Sequence, residues 1–275
     1  MTQINERCYK MNLITVDQKK CIQCGICAAE CPTVVLLMGE KGPEAVNPDH
    51  CMACGHCVAV CPHAAINNTL TPLDQQLAIT EFPVLNKESA GRFLRSRRSI
   101  RSYKKAPVPR EQLRELVEMA RMAPTGSNQQ GISYIIVEDG EIVEKAAVVI
   151  IEWLEKNLTH PYFSVFIQEF RKKGIDTILR GAPHLILAIS ALDFQQGREN
   201  SIFSLAYLEL YAPALGLGSC WAGIFEMCAF SGHEPLLKLF NIPEGKKING
   251  AVMVGYPKYR YQRLTDRNPL EVAYL

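Results

Sequence analysis

Apolar positions along the chain change character near residue 70. Before it they come in short runs: residues 14–17 and 44–47 read as brief strands, and 34–37 and 64–66 as strands able to pair with them. A polar, irregular stretch follows, bracketed by Asn67-Asn-Thr-Leu-Thr-Pro72 and Glu81-Phe-Pro83. Beyond it the periods lengthen. Residues 109–123 form an amphipathic helix with Leu113, Leu116, Val117 and Ala120 on one face. Residues 133–137, 185–189 and 250–254 read as buried strands, and 141–156, 162–172, 202–215 and 234–240 as helices. Strands separated by long helices predict an α+β second domain. The expected organisation is a small domain over 1–72, a linker over 73–84 and a larger domain over 85–275.

Composition narrows the class. The chain has 275 residues, 48% hydrophobic and 21% charged, which excludes wholesale disorder. A formal charge of +2 argues against a protein that coats nucleic acid or anionic lipid. The first eight residues lack an apolar core, so no signal peptide is expected. The most membrane-like stretch, 201–225, carries Glu209, Pro213 and three glycines, and a buried helix followed by a glycine turn fits it better. A cytoplasmic location is expected. There thiols stay reduced, and clustered cysteines more often hold metal than pair.

Eight of the eleven cysteines lie between residues 21 and 61 in two copies of one pattern. The first is Cys21-Ile-Gln-Cys24-Gly-Ile-Cys27-Ala-Ala-Glu-Cys31-Pro32. The second, Cys51-Met-Ala-Cys54-Gly-His-Cys57-Val-Ala-Val-Cys61-Pro62, repeats every cysteine and the proline 30 residues on. Structural zinc would call for separated pairs around one ion, and disulfides for an oxidising compartment. The run is similar to that of bacterial two-cluster ferredoxins. That resemblance implies one 4Fe–4S cluster on Cys21, Cys24, Cys27 and Cys61, and another on Cys51, Cys54, Cys57 and Cys31. In each copy the fourth cysteine is expected to leave on a new helix begun by proline. Gly25 and Gly55 suit close approach of backbone N–H groups to sulfide. Cys8, Cys220 and Cys228 stand outside the pattern as small hydrophobes.

Charge is unevenly divided: residues 1–80 carry five Lys/Arg and seven Asp/Glu, net −2, and the remainder 25 and 21, net +4. Arg92, Arg95, Arg97, Arg98, Arg101, Lys104 and Lys105 crowd one segment, which by charge alone is a solvated helix face or a nucleic-acid patch. No aromatic interleaving supports the patch. The order Arg97-Arg-Ser-Ile-Arg101-Ser-Tyr103 suits a phosphate monoester instead. Ala123-Pro-Thr-Gly-Ser-Asn128-Gln-Gln130 and Gly216-Leu-Gly-Ser-Cys-Trp-Ala-Gly223 follow it. Together these three segments resemble the FMN-dependent nitroreductase family over roughly residues 85–275. The whole chain resembles the subgroup in which a two-cluster ferredoxin domain precedes that flavin domain.

The resemblance implies a homodimer with FMN at the subunit interface. Arg97, Ser99 and Arg101 would hold the phosphate, ribityl chain and pyrimidine edge, with Arg98 in the same motif. Pro124, Thr125, Asn128 and Gln130 match the loop that approaches the flavin, and Gly223 the position whose N–H faces flavin N5. Arg263 and Arg267 are candidates for a last phosphate contact, Arg267 preferred. Two departures stand out. The usual Asn-x-Gln-Pro-Trp is Asn128-Gln-Gln130-Gly-Ile132, and the usual Lys-x-Arg is Thr265-Asp-Arg267.

No G-x-G-x-x-G or G-x-x-x-x-G-K phosphate loop occurs, and the six histidines show no metal-site spacing. The expected activity is electron transfer from two 4Fe–4S clusters to FMN and on to a small organic acceptor such as a nitroaromatic or quinone. No side-chain acid is named, since water can supply the proton. The donor would be a low-potential ferredoxin or an NAD(P)H-linked reductase. Tyr162, Phe163 and Phe166 form either a lid over substrate or simply core or dimer interface. Two rivals remain at this level: an electron-relay subunit serving a protein partner, and a nucleic-acid binder with structural clusters.

Overall fold

A computed structural model describes residues 12–79, 85–157 and 160–275; Cys8 and the 80–84 part of the expected linker lie outside them. The chain divides into two compact units, Met1–Val84 with Ser127–Gln129, and Leu85–Gly126 with Gln130–Leu275.

The first unit is built from β1 (Ile14–Val16), α1 (Ile26–Ala29), β2 (Leu36–Gly39), β3 (Gly42–Ala45), α2 (His56–Ala59) and β4 (Ile66–Asn68). β1 pairs antiparallel with β4, setting Ile14 opposite Asn68, and β2 pairs with β3. The strand before each cysteine run thus pairs with the strand after the other copy, locking the two halves together. Ile14, Val35, Leu36, Val58 and Ile66 form its small core. α1 and α2 begin after left-handed glycines, Gly25 (φ 76°) and Gly55 (φ 74°), where a side chain would be strained.

The helices lie before the Cys-Pro pairs, contrary to the expectation of helices begun by Pro32 and Pro62. After each proline the chain turns: Val34 N–H donates to Cys31 O at 3.1 Å, and Ala64 N–H to Cys61 O at 3.2 Å. Val34 and Ala64 then adopt φ of 53° and 46°, which a right-handed helix cannot continue through.

The second unit contains α3 (Lys87–Ser96), α4 (Arg110–Ala120), β5 (Ser133–Val137), α5 (Gly140–Asn157), α6 (Pro161–Lys173) and β6 (His184–Ala191). It continues with α7 (Gly197–Tyr211), β7 (Gly218–Trp221), α8 (Gly223–Phe230), α9 (Glu234–Leu237) and β8 (Lys246–Gly255). The strands form one antiparallel sheet in the order β5-β6-β8-β7. Its two faces bury different cores. Leu185, Leu187, Ile189, Ala251 and Met253 pack with α5 and α8, while Ile186, Ala188, Val252 and Val254 pack with α4 and α7. Burial on both faces explains why β6 and β8 read as unbroken apolar runs.

The buried helix expected at 202–215 begins earlier, at Gly197, and tightens into a 3-10 turn over Ala212–Leu215. β7 was not expected, because Gly218-Ser-Cys-Trp221 has the composition of a turn. Among the described residues no helix is long and apolar enough to cross a membrane.

His184, on β6, is buried, and its Nε2 accepts the Val108 N–H at 2.8 Å. Burial holds the imidazole below its ordinary value of 6.5, despite nearby groups that favour the cation. The folded state therefore binds this proton less readily than the unfolded chain. The resulting stability is full above the ordinary pKa and is lost as pH falls through the folded value. The melting temperature should decline on acidification below about pH 6.5, and the decline should be shallower in His184→Gln, where a neutral amide replaces the imidazole. Thermal melts of both proteins from pH 7.5 to 5 measure the difference in slope.

Candidate functional site

In the first unit the eight repeated cysteines separate into two groups of four. Cys21, Cys24, Cys27 and Cys61 line one cavity, and Cys31, Cys51, Cys54 and Cys57 line another. The two are nearly equal in size. Each takes three thiols from one copy of the motif and the fourth from the other copy. Among the described residues no three His, Cys, Asp or Glu side chains converge on a point where a single metal ion could sit. A tetrahedral zinc would draw its sulfurs to within about 4 Å of one another. Thiols spaced around a cavity fit a polynuclear cluster and do not fit zinc. Val35 N–H donates to Cys31 Sγ and Ala65 N–H to Cys61 Sγ, both at 3.3 Å, offering the sulfurs the donors that a buried anionic cluster requires.

In the second unit the arginine segment leaves α3 and runs beside β7. Ile100 N–H donates to Ser219 O at 2.9 Å, and Ser99 bridges Ser219 in parallel register. A Cβ at Gly218 would lie 2.5 Å from Ile100 Cγ1 and 3.0 Å from Pro257 Cγ, so the approach requires glycine. The extended backbone brings alternate side chains to one place. Arg97 Nη1 lies 3.7 Å from Glu209 Oε1, Ser219 Oγ donates to the same oxygen at 3.2 Å, and Arg101 Nη1 donates to Ser99 O at 3.4 Å. Arg101 contributes positive charge beside Cys220. Arg97, Ser99 and Arg101 therefore share one neighbourhood. Arg98 turns away: Nη1 donates to Arg97 O at 3.0 Å and Nη2 to Thr265 O at 3.4 Å, while its Nε is buried without a partner among the described residues. An orphaned guanidinium N–H within a basic cluster suits an anionic ligand such as a phosphate monoester.

Glu209 was missed as a neighbour of the arginine segment. Glu209 was recognised only as a carboxylate unsuited to a membrane span, because its partner Arg97 is 112 positions away in the chain. Burial pushes its carboxyl above the ordinary 4.5, opposed by Arg97 and the Ser219 hydroxyl. Burial likewise raises the Cys220 thiol, opposed by Arg101, and raises the Tyr103 phenol, whose hydroxyl donates to Ile100 O at 2.7 Å.

The remaining expected residues are more scattered. In the loop after α4, Ser127, Asn128, Gln130 and Gly131 all have φ between 50° and 58°. Gln130 N–H donates to Thr125 Oγ1 at 3.0 Å. Asn128 groups with the first unit, where its side-chain amide donates to Met52 O at 3.1 Å and Ala53 O at 2.8 Å. Gly223 opens α8, and no side chain among the described residues caps that helix. Arg263 and Arg267 are exposed, and Asp266, next to Arg267, lies 3.7 Å from Arg95. On α6, Phe163 packs on the core, while Tyr162 is exposed with its ring edge-on to Phe163 and Phe166. A cleft of about 1010 Å³, lined by Arg198, Phe230, Leu237 and Ile242 among others, contains none of the expected flavin contacts.

Residues 94–256 match the model of the nitroreductase family, and residues 13–62 that of a 4Fe-4S dicluster domain. An NADH dehydrogenase from Thermus thermophilus is 32% identical over 197 residues, covering 64% of this chain and 88% of the relative. The structure of a nitroreductase with bound FMN from Desulfitobacterium hafniense superposes with a TM-score of 0.57 at 19% identity, covering 70% of this chain and all of that one. Oxidized iodotyrosine deiodinase bound to FMN and 3-iodo-L-tyrosine gives 0.51 at 25% identity, covering 66% and 96%.

The buried Glu209 yields a prediction of definite sign. Because its folded pKa is raised, its ionisation costs stability as pH rises from the ordinary 4.5 through the folded value. Glu209→Gln abolishes that cost. The melting temperature of Glu209→Gln minus that of the parent should become more positive across this interval and level off above it. Paired melts between pH 4 and 8 provide the check.

Proposed function

The chain belongs to the nitroreductase family, and from that premise we propose that it is an iron–sulfur flavoprotein passing electrons from two 4Fe–4S clusters through FMN to a small organic acceptor. What carries this reading is the presence, in one chain, of two four-thiol cavities and a convergent Arg97–Ser99–Arg101 strip within the family-matched region. When bound, the clusters supply one-electron transfer and the flavin joins it to two-electron chemistry.

The protein's part is binding, orientation and charge. Cys21, Cys24, Cys27 and Cys61 would ligate one cluster, and Cys31, Cys51, Cys54 and Cys57 the other. Arg97 and Ser99 would hold the FMN phosphate and ribityl chain, with Arg98 supplying its backbone and its unpartnered Nε, and Arg267 adding a further cation. Arg101 would place positive charge at the pyrimidine edge, where negative charge grows on reduction. The Gly223 N–H, at the open end of α8, would face flavin N5. Pro124, Thr125, Asn128 and Gln130 would form the approaching loop, contributed across a homodimer interface. A low-potential ferredoxin or an NAD(P)H-linked reductase would be the donor, a nitroaromatic or quinone the acceptor, and the cytoplasm the compartment.

Anaerobic purification followed by iron, sulfide and FMN counting tests the reading. About eight iron and eight sulfide per chain are expected for two such clusters, with FMN at one per chain and turnover of nitroaromatics or quinones by the isolated protein under a chemical reductant. Flavin-free protein, or far less iron, overturns it. Replacing Arg97 with Ala removes one charge-assisted contact of about 1.5–3 kcal/mol, so FMN affinity should fall roughly ten- to hundredfold with iron content unchanged. Flavin fluorescence titration and iron analysis measure the two effects separately.

A further inference from the structure

The two cysteine motifs repeat at an offset of 30 residues, but the polar groups around their sulfurs do not. The backbone donors are symmetric: Val35 N–H on Cys31 and Ala65 N–H on Cys61 are equivalent positions at the same 3.3 Å distance. Among the described residues, the side-chain donors all fall on one site. Asn68 Nδ2 lies 3.8 Å from Cys51 Sγ and 3.8 Å from Cys57 Sγ, and Thr33 Oγ1 lies 4.0 Å from Cys31 Sγ. All three cysteines line the Cys31/Cys51/Cys54/Cys57 cavity. Thirty residues before Asn68 stands Met38, and thirty after Thr33 stands His63. Both line the other cavity, where neither hydrogen-bonds a sulfur.

Asn68 is held for this role. It is 2% exposed, and its Oδ1 accepts the Leu70 N–H at 2.9 Å. That bond fixes which end of the amide is oxygen, so the NH₂ must face the sulfurs. Its place in β4, opposite Ile14, anchors the backbone. Donors aimed at thiolate sulfur stabilise the more negative, reduced form of a cluster and raise its reduction potential.

We propose that Asn68 sets the Cys31/Cys51/Cys54/Cys57 site above the Cys21/Cys24/Cys27/Cys61 site in reduction potential. A first electron from a one-electron reductant then comes to rest at the site holding Asn68, and the duplicated module has a built-in direction. Lys20 and His63 at the first cavity, and His56 at the second, are exposed cations or potential cations whose effect water and salt screen. The inference rests on the two-cluster reading above.

The test is a redox titration of the anaerobically purified full chain, followed by electron paramagnetic resonance at a pH above the histidine range. The parent should show two resolved midpoints. Asn68→Leu, of similar size without a donor, should lower the higher midpoint and leave the lower one in place. Asn68→Thr, which keeps an oxygen near Leu70 N–H without an amide at the sulfurs, should do the same and decides the matter if the leucine variant fails to assemble. Unchanged midpoints in a variant with full iron content overturn the proposal, as does a shift confined to the lower midpoint. Parent protein with too little iron for two clusters instead overturns the reading on which it rests.

Discussion

The second unit's site depends on one close approach of backbone to backbone. Ile100 donates to Ser219 O at 2.9 Å along β7, the strand at one end of the sheet order, and Gly218 leaves room for it. An uncovered edge is an adhesive surface; here the arginine segment covers part of it and is straightened by it. Straightening puts Arg97 in reach of Glu209 and the positive charge of Arg101 near Cys220. The close packing that completes the sheet also concentrates positive charge beside a buried carboxylate. Tyr103, donating to Ile100 O and bridging Pro257, secures the far end of the same segment.

The first unit meets a different constraint. So small a module has little apolar core, and eight thiols must be arranged around two cavities rather than at two points. Duplication meets this economically. Each half turns on a left-handed glycine and a left-handed residue after Cys-Pro, and β1–β4 pairing joins the beginning of one half to the end of the other. The exchange of the fourth cysteine ties the halves again, so that a bound cluster would cross-link them. Once the scaffold is doubled, side chains at equivalent positions are free to diverge, as Asn68 and Met38 have.

Much of this was legible in the sequence where chemistry is local. The cysteine spacing, the amphipathic face of Leu113 and Leu116, and the runs that became β5, β6 and β8 each carry their signal within a few residues. The family resemblance rested on three short motifs, and the match over residues 94–256 bears it out. What stayed hidden was non-local. β7 looks like a turn until β8 pairs with it, and Glu209 means little until Arg97 arrives from a distant segment. The helices expected after Pro32 and Pro62 failed for a local reason. Val34 and Ala64 take a left-handed conformation that neither residue type advertises. The Asn68 amide lay just past the second motif, and only its fold back onto Cys51 and Cys57 gives it a meaning.

Together these features join a 4Fe-4S dicluster domain and a nitroreductase-family domain in one chain. On the proposed route, electrons reach the flavin by way of the clusters. Stopped-flow mixing of the oxidised, fully loaded protein with a one-electron donor such as reduced ferredoxin separates this route from direct flavin reduction. Iron–sulfur absorbance should bleach before the flavin band, and Cys24→Ser, with FMN retained, should slow flavin reduction severely. Flavin reduction at an unchanged rate in that variant would rule the route out.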